Sequence, residues 1–376
     1  MAVKTSIPFS FVMLLVFVLP IRTVSASQIS WLIENLGSLG GYSRAFGIND
    51  EGEVIGESEV APGDVRGFIF SGGGIHALNS AGGNYESARA ISNSSIVAGI
   101  SISRTVRATM WLANTPSPLA GFDDDNLSSS ANGISDLGIV VGSSQHPDGG
   151  TRPVMWQDET MIELPLGTAS GGVAISIGDG GHIVGWADGR PALWLGSGIF
   201  FLDTLSGASG GVANSVSATG EIVGWSNPFI SDFSTNHATL WTSNSVIDLD
   251  TLGGTSSNAW AINSAGWIVG ESLIPSDSES HAVLWRNGDT LDLSTLPEVT
   301  EAGWAVLGQA TAVNDFGQIV GVGEINGQSR AFRLSPIQPV PIPATFWLFI
   351  TGLLFCGRCL HLDSAKFSLR FNWFLW

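Results

Sequence analysis

Few side chains in this sequence have the types and spacing that catalysis or metal binding requires. The six histidines include no pair at the spacing of zinc ligands. Serines are abundant but none stands out as a nucleophile, and both cysteines, Cys356 and Cys359, lie close to the last residue. We therefore predict no catalytic residue, no metal ligand and no cofactor.

An acidic run, Asp123-Asp124-Asp125-Asn126, is the remaining candidate for a metal site. It lacks the Asp-x-Asp-x-Asp-Gly spacing of a calcium-binding loop. We favour a solvated acidic loop, with a calcium site as the alternative.

A cationic side chain recurs at one position of an internal repeat that is described below. One interpretation is a ring of positive charge facing an anionic ligand. The other is structural, with each cation bonding a carboxylate or a backbone carbonyl within its own repeat. We favour the structural interpretation, because a repeating fold requires one such residue in every unit whatever the ligand. The residues are Arg66, Arg107, Arg152, Arg190, His237, His281 and Arg330.

A second position varies while its neighbours stay constant, ten residues before the glycine that ends each repeat. It holds Phe46, Arg89, Asn132, Ile175, Asn214, Trp260 and Thr311. A variable position on a fixed scaffold can line an opening that faces a ligand. We predict ligand contacts for Arg89, Asn132, Asn214, Trp260 and Thr311.

The repeat itself positions these side chains. Its seven copies end on Gly56, Gly99, Gly142, Gly185, Gly224, Gly270 and Gly321, at steps of about 40–50 residues, which is typical of a propeller or a solenoid. Eleven residues before each glycine stands an alanine, and nine before it a small residue. Because these two positions differ by two, we expect them to share one strand face, where backbones crowd near the axis of a ring.

The first six copies each predict four short strands. A tight turn such as Asn49-Asp50-Glu51-Gly52 joins the first two, and a third strand such as His281-Ala282-Val283-Leu284-Trp285 precedes a fourth. Four strands per unit without helical periodicity predict a seven-bladed β-propeller. Five tryptophans recur in register on the third strand and should pack between blades: Trp111, Trp156, Trp194, Trp241 and Trp285.

The two ends of the repeat region predict ring closure. The seventh copy stops after its third strand, which starts at Arg330, and a proline-rich segment follows from Pro336. Residues 31–41 resemble the isolated fourth strand of a repeat. We expect this N-terminal strand to complete the last blade, which removes a sheet edge that would otherwise pair with other chains.

The copies resemble the HAF repeats of extracellular bacterial proteins. That family's pattern combines a Leu-Gly-Gly entrance, an Ile-Asn-x-x-Gly-x-Val-Val-Gly hairpin and a His-Ala-Phe-Leu-Trp strand. The resemblance extends from about Trp31 to Leu334, and it is best in the sixth copy and weak in the second and third. It implies an exported propeller and assigns no activity.

Composition narrows the function further. The net charge of −18 argues against nucleic acid, whose phosphates need basic partners, and is typical of a soluble secreted protein. With 48 glycines and 13% charged residues, the chain has the composition of a turn-rich all-β protein. The repeat region contains no cysteine, so no disulfide is needed to explain its stability.

Both termini are predicted to be targeting segments. Residues 1–26 have the positive start, apolar centre and small-residue end of a signal peptide, with cleavage expected between Ala26 and Ser27. A transmembrane anchor is the alternative, for which the apolar run is short. The repeats then occupy residues 27–338.

Residues 339–361 resemble a PEP-CTERM sorting signal, on Pro341, Pro343, Trp347 and Arg358. The resemblance implies transient insertion into the inner membrane and processing by an exosortase-type transpeptidase. Ile342 stands where that family has glutamate, and residues 362–376 extend beyond the usual end. A plain membrane helix is the alternative.

These features predict a non-enzymatic propeller at the cell surface or in the extracellular matrix of a biofilm, binding glycan or protein. We place the ligand at the variable links between second and third strands. A polysaccharide hydrolase or lyase on the same scaffold is one alternative, and a structural spacer is another.

Overall fold

The computed structural model describes residues 29–123, 126–158, 160–227 and 235–337. These residues form antiparallel sheets almost throughout, five with four strands and one with eight. The eight-stranded sheet consists of two four-stranded halves, joined by one parallel bridge between Val65 and Tyr85. The architecture is therefore all-β, as predicted, and its unit is a four-stranded sheet.

Each repeat supplies an inner, a second, a third and an outer strand. The inner strands are Ser43–Ile48, Tyr85–Ile91, Ser129–Ile134, Gly172–Ile177, Gly210–Val216, Ser257–Ile262 and Trp304–Val313. The second strands are Val54–Ala61, Val97–Ile102, Val140–Gln145, Ile183–Ala187, Ile222–Asn227, Ile268–Leu273 and Ile319–Ile325. The third strands are Asp64–Ser71, Val106–Leu112, Thr151–Gln157, Arg190–Leu195, His237–Trp241, Ser280–Arg286 and Gln328–Ile337. The outer strands of the first six repeats are Gly74–Ala77, Thr115–Pro118, Thr160–Glu163, Gly198–Phe201, Val246–Asp248 and Asp289–Asp292.

The outer strand of the seventh repeat is the N-terminal strand Ser30–Asn35. It pairs antiparallel with the third strand of that repeat, with Ile33 opposite Leu334 and Asn35 opposite Phe332. The pairing predicted from the two ends of the repeat region is confirmed. Trp31, at 2% exposure, anchors this strand in the core.

The sheets follow one another in a closed ring. The inner strand of each repeat contacts the second strand of the repeat before it, and the inner strand of the first repeat contacts the second strand of the seventh. Since each sheet packs on the next and the last packs on the first, the fold is a β-propeller.

A β-bulge interrupts the inner strand of every repeat. In the first repeat Ala45 pairs with Gly56 and Gly47 pairs with Ile55, which leaves Phe46 as the extra residue. Our inference that the alanine and the small residue share one strand face is wrong. Their partners are adjacent residues, whose side chains point to opposite faces, and the bulge shifts the register between them.

The bulge also explains why every copy ends on glycine. It pushes the carbonyl oxygen of the residue before the alanine over that glycine, so that a Cβ on Gly56 would lie 1.9 Å from the Arg44 oxygen. In the other repeats the same distance, from the carbonyl oxygen to a Cβ on the repeat glycine, is 1.9 to 2.0 Å. Only a residue without a side chain fits under the bulge.

The recurring tryptophans lie between neighbouring repeats, as predicted. Trp111 is 1% exposed and packs with Ile55 and Leu78 of the preceding repeat. Its indole N–H donates to the carbonyl of Asn79 at 2.9 Å. Trp156, Trp194 and Trp241 donate in the same way to the links that precede their repeats.

One helical segment was not predicted. Between the sixth and seventh repeats, a 3-10 turn, Leu293–Thr295, leads into a short α-helix, Pro297–Glu301. Leu293 and Val299 are fully buried, so the segment adds to the core. Glu298 accepts a hydrogen bond from the backbone N–H of Trp31 at 3.1 Å and thereby supports the strand that closes the ring.

Several predicted features lie outside the described residues. They are the signal peptide, its cleavage site at Ala26 and Ser27, the tail with Pro341, Pro343, Trp347 and Arg358, and Asp124 and Asp125 of the acidic run. Within the ranges that the structure describes, no helix is long and apolar enough to cross a membrane.

Candidate functional site

The antiparallel order of the strands gives the propeller two different ends. The turns between inner and second strands, and between third and outer strands, lie at one end, called here the turn end. The links between second and third strands, and between consecutive repeats, lie at the other, called the link end. The variable links that we predicted as a binding surface are thus at the link end, where the inner strands begin.

The turn end carries a ring of acidic and amide side chains. Turns from all the repeats surround one depression of about 240 Å³. The residue six positions before each repeat glycine lines this depression. These residues are Asp50, Asn93, Asp136, Asp179, Ala218, Ser264 and Asp315. The sequence analysis missed this ring, although the repeated aspartate at a fixed distance from the glycine was a usable signal.

Hydrogen bonds link these turns in sequence around the depression. The backbone N–H of Asp50 donates to Asn93 Oδ1 at 2.8 Å, and that of Asn93 donates to Asp136 Oδ1 at 2.7 Å. The N–H of Asp315 donates to Asp50 Oδ1 at 3.0 Å and so connects the last repeat to the first. No group of three or more acidic, histidine or cysteine side chains in the described residues could hold a metal ion. The ring therefore has a structural explanation in the amides that it binds.

Three of the five residues predicted to contact a ligand bond the next repeat. Asn132, Asn214 and Thr311 each occupy a bulge and donate to the carbonyl of the following repeat's alanine at 2.9 Å. The carbonyls belong to Ala174, Ala259 and Ala45. A polar side chain at the bulge thus ties neighbouring sheets together near the axis.

Arg89 lies at the same position in the second repeat and reaches two side chains of the third. Its Nη1 donates to Ser130 Oγ at 2.7 Å and to Asn132 Oδ1 at 2.8 Å. The structure therefore brings two of the predicted ligand residues, Arg89 and Asn132, into direct contact. Burial lowers the pKa of Arg89, because the desolvated guanidinium is costly to keep charged.

Both tyrosines of the chain lie near Glu57, with Tyr85 close to Arg89 and Tyr42 close to Arg44. Tyr85 donates its hydroxyl to Glu57 Oε2 at 2.6 Å, and Glu57 lies 4.0 Å from the guanidinium of Arg44. Burial raises the pKa of Tyr85, and its bond to the Glu57 carboxylate raises it further. The guanidinium of Arg44 lies 5.2 Å from the ring centroid of Tyr42.

A groove of about 470 Å³ opens at the link end between the second and third repeats. Tyr85 and Arg89 form one part of it, and Ile100 and Ile102 supply apolar surface. Hydroxyl and amide groups line the rest, from Ser128, Ser129, Ser130, Ser143, Gln145 and Thr151. Its volume is in the range of small-ligand sites, and its lining offers both donors and acceptors.

A second polar cluster occupies the link end between the sixth and seventh repeats. Glu271 accepts hydrogen bonds from Asn258 Nδ2 at 3.1 Å and from Ser280 Oγ at 3.4 Å. Burial raises the pKa of Glu271, and these bonds oppose the rise, as do the side chains of Trp260 and Gln309. The predicted ligand residue Trp260 is therefore adjacent to the half-buried carboxyl group of Glu271.

The repeated cations contact protein groups. Arg66, Arg152 and Arg330 donate to carbonyls of the links into the next repeat, at 2.6, 2.6 and 2.9 Å. His237 and His281 lie 2.8 Å from Asp248 and Asp292 on the outer strands of their own repeats. Arg190 stacks over Phe201 at 4.1 Å, and Arg107 also interacts with its surroundings. Their structural role stays a prediction.

One stretch has the spacing of a Gly-x-Ser-x-Gly nucleophile motif, Gly207-Ala208-Ser209-Gly210-Gly211. That motif requires a strand followed by a sharp turn and a helix. Here Ser209 immediately precedes the inner strand Gly210–Val216, and its backbone N–H donates to the Asn227 carbonyl at 2.9 Å. The context is that of a strand end and not of a nucleophile turn.

Neither a protein-family model nor a curated protein matches this chain. Among solved structures, it is similar to TolB from Acinetobacter baumannii, with 11% identity and a TM-score of 0.37 over 80% of this chain and 65% of that one. A structural genomics protein of unknown function from Bacteroides thetaiotaomicron matches with 9% identity and a TM-score of 0.43, over 82% and 76% of the two chains. A Trypanosoma rangeli sialidase in complex with 2,3-difluorosialic acid matches with 9% identity and a TM-score of 0.34, over 85% and 56%. These similarities assign no activity and no ligand to this chain.

Proposed function

We propose that this chain is an exported, seven-bladed propeller that binds a glycan at its link end and performs no catalysis. The count of seven follows if the two halves of the eight-stranded sheet are separate blades. A single parallel bridge at Val65 and Tyr85 favours this division, since each half otherwise has the strand order of the other sheets.

The proposed cellular location rests on the sequence. The signal-like residues 1–26, the HAF-like repeats and the PEP-CTERM-like tail all favour export and retention at the cell surface or in a biofilm matrix. An exosortase-type transpeptidase is the partner proposed for the tail, after transient insertion in the inner membrane. The net charge of −18 continues to argue against a nucleic-acid partner.

The observation that carries the binding proposal is the groove between the second and third repeats. Sugars present a dense pattern of hydroxyl groups around small apolar faces. The groove matches both features, because serine, threonine and glutamine side chains lie beside Ile100, Ile102 and the ring of Tyr85. A protein ligand would more commonly need a larger apolar surface than this groove provides.

A glycan array tests the proposal on the purified protein and two single variants. Tyr85→Ala removes a wall of the groove, whereas Tyr42→Ala removes the other tyrosine, which does not line it. We expect saturable glycan signals that fall at least about tenfold in Tyr85→Ala, equivalent to about 1.4 kcal/mol, and persist in Tyr42→Ala. Absence of any glycan signal, or equal loss in the two variants, would contradict the proposal, as would binding of a secreted protein alone.

A further inference from the structure

The groove contains a positive charge without an ion-pair partner in the described part of the chain. Both hydrogen bonds that Arg89 makes there use Nη1, and both acceptors, Ser130 and Asn132, are neutral. The other two guanidinium nitrogens, Nε and Nη2, are not among the buried polar atoms that lack a partner, so they are open to solvent. Since Arg89 lines the groove, their N–H groups are available to a ligand in it.

No described carboxylate forms an ion pair with this guanidinium. The charge of Glu57 acts on Arg89, but less than the desolvation of Arg89 does. The Glu57 carboxylate is already bound to the Tyr85 hydroxyl at 2.6 Å and lies 4.0 Å from Arg44. Glu59 also acts on Tyr42 beside Arg44, so charges of both signs lie in this part of the link end. Arg89 itself has no ion pair among the described residues.

Arg89 is half-buried, and a charge that has lost part of its hydration is costly unless it is paired. An arginine fork has the geometry to hold the two oxygens of a carboxylate or a sulfate, and its bonds to an anion are stronger than those to neutral groups. The surrounding hydroxyls of Ser128, Ser143 and Thr151 can serve the neighbouring oxygens of a sugar ring.

We propose that the groove recognises an acidic sugar, with Arg89 binding the carboxylate or sulfate group of the glycan. This inference rests on the proposed glycan-binding function and specifies its ligand class. One groove cation in a chain of net charge −18 favours a glycan with isolated acidic groups over a continuous polyanion. At physiological salt, charges beyond about 8–10 Å are largely screened, so the distant carboxylates do not cancel the local attraction.

The test compares matched probes by calorimetric titration. The probes are a disaccharide ending in glucuronic acid, its analogue ending in glucose, and the same analogue bearing one sulfate. Free acetate and free sulfate, added as competitors, separate recognition of a glycan from binding of a small anion. The variants are Arg89→Gln, which removes the charge, and Arg89→Lys, which keeps the charge but loses the fork.

Arg190→Gln is the matched control, because it removes one positive charge from an exposed arginine of the fourth repeat that does not line the groove. Thermal melting of each variant verifies that it is folded. Arg89→Lys provides the comparison if Arg89→Gln does not fold.

We expect the wild type and Arg190→Gln to bind an acidic probe at least about tenfold more tightly than the neutral one, as a hydrogen bond to a charged group implies. Arg89→Gln should reduce this preference to less than about twofold, and Arg89→Lys should retain part of it. Equal affinity for neutral and acidic probes would overturn the acidic-sugar inference and leave glycan binding intact. Competition by free sulfate at the same concentration as the sulfated probe would also overturn it, and failure of every glycan to bind would refute the proposed function itself.

Discussion

The carbonyl oxygen of Ser87 lies 2.0 Å from the position that a Cβ atom on Gly99 would occupy. This contact is a direct consequence of the bulge at Arg89, which shifts the register between Ala88 and Ala90. The same bulge sends the Arg89 side chain toward the third repeat. The glycine that ends each repeat and the variable residue ten positions before it are therefore two parts of one local structure.

Replacing that glycine should damage the fold. In Gly99→Ala the new methyl group would collide with backbone, which cannot move without disturbing the inner strand, so we expect a loss of at least about 2 kcal/mol. Gly308→Ala is the control, since the nearest atom to its added Cβ would be 3.8 Å away. Urea unfolding measures both changes. Equal stability of the two variants would show that the glycine is not required by the bulge.

The turn-end ring has a gap that can be filled. Ala218 offers no side-chain acceptor where Asp136 and Asp179 accept hydrogen bonds from the preceding repeats. Ala218→Asn places an acceptor opposite the N–H of Asp179, and we expect a gain of about 0.5–1.5 kcal/mol. Ala265→Asn, at an exposed turn position, should change the unfolding free energy little. No difference between the two variants in urea unfolding would argue against a stabilising role of the ring.

Ring closure can be locked covalently. Leu32 and Ser335 are direct partners in the closing strand pair, and the repeat region has no cysteine to compete. We expect Leu32→Cys with Ser335→Cys to form a disulfide on oxidation and to raise the stability by up to about 4 kcal/mol, because it closes a long loop. Leu32→Cys with Ser329→Cys is the control, as residue 329 pairs with Glu324 at the opposite end of the strand. Failure of the first pair to cross-link, judged by mass spectrometry, would contradict the closure.

Glu271 predicts a particular pH dependence of stability. Burial raises the pKa of Glu271 in the folded state. The stability that its protonated form contributes is therefore fully present below the unfolded-state pKa of about 4.3, and it is lost as the pH rises through the folded-state pKa. Glu271→Gln cannot ionise, so its stability relative to the wild type should increase between about pH 4 and about pH 8. Glu51→Gln, at an exposed turn residue, is the comparison. A difference that stays flat or falls with pH, measured by urea unfolding, would refute this account of Glu271.

Much of the architecture could be predicted because the repeat carries it redundantly. The four strands per repeat and the pairing of the N-terminal strand with the seventh repeat follow from patterns that recur along the chain. The short helix Pro297–Glu301 occurs in one inter-repeat link only, so no pattern indicates it. The error about the shared strand face arose because strict alternation fails at a bulge, and a bulge has no signature in one copy of a strand.

The contacts within the candidate site were harder to predict from the sequence. Arg89 and Asn132 were predicted as ligand residues on their variability, but their contact with each other depends on the register between repeats. The bond from Tyr85 to Glu57 joins two repeats as well, and neither residue stands at the variable position. Contacts between sheets arise from packing around the axis, which the order of residues in one strand does not encode.

The most direct measurement is a titration of the purified protein with two bacterial exopolysaccharides, one neutral and one containing glucuronic acid. Two variants place a bulky ring at opposite ends of the propeller: Ser143→Trp fills the groove at the link end, and Ser264→Trp fills the depression at the turn end. We predict saturable binding that weakens at least about tenfold in Ser143→Trp and remains within about twofold in Ser264→Trp. Loss of binding in Ser264→Trp alone, or no binding by the wild type, would contradict a glycan site at the link end.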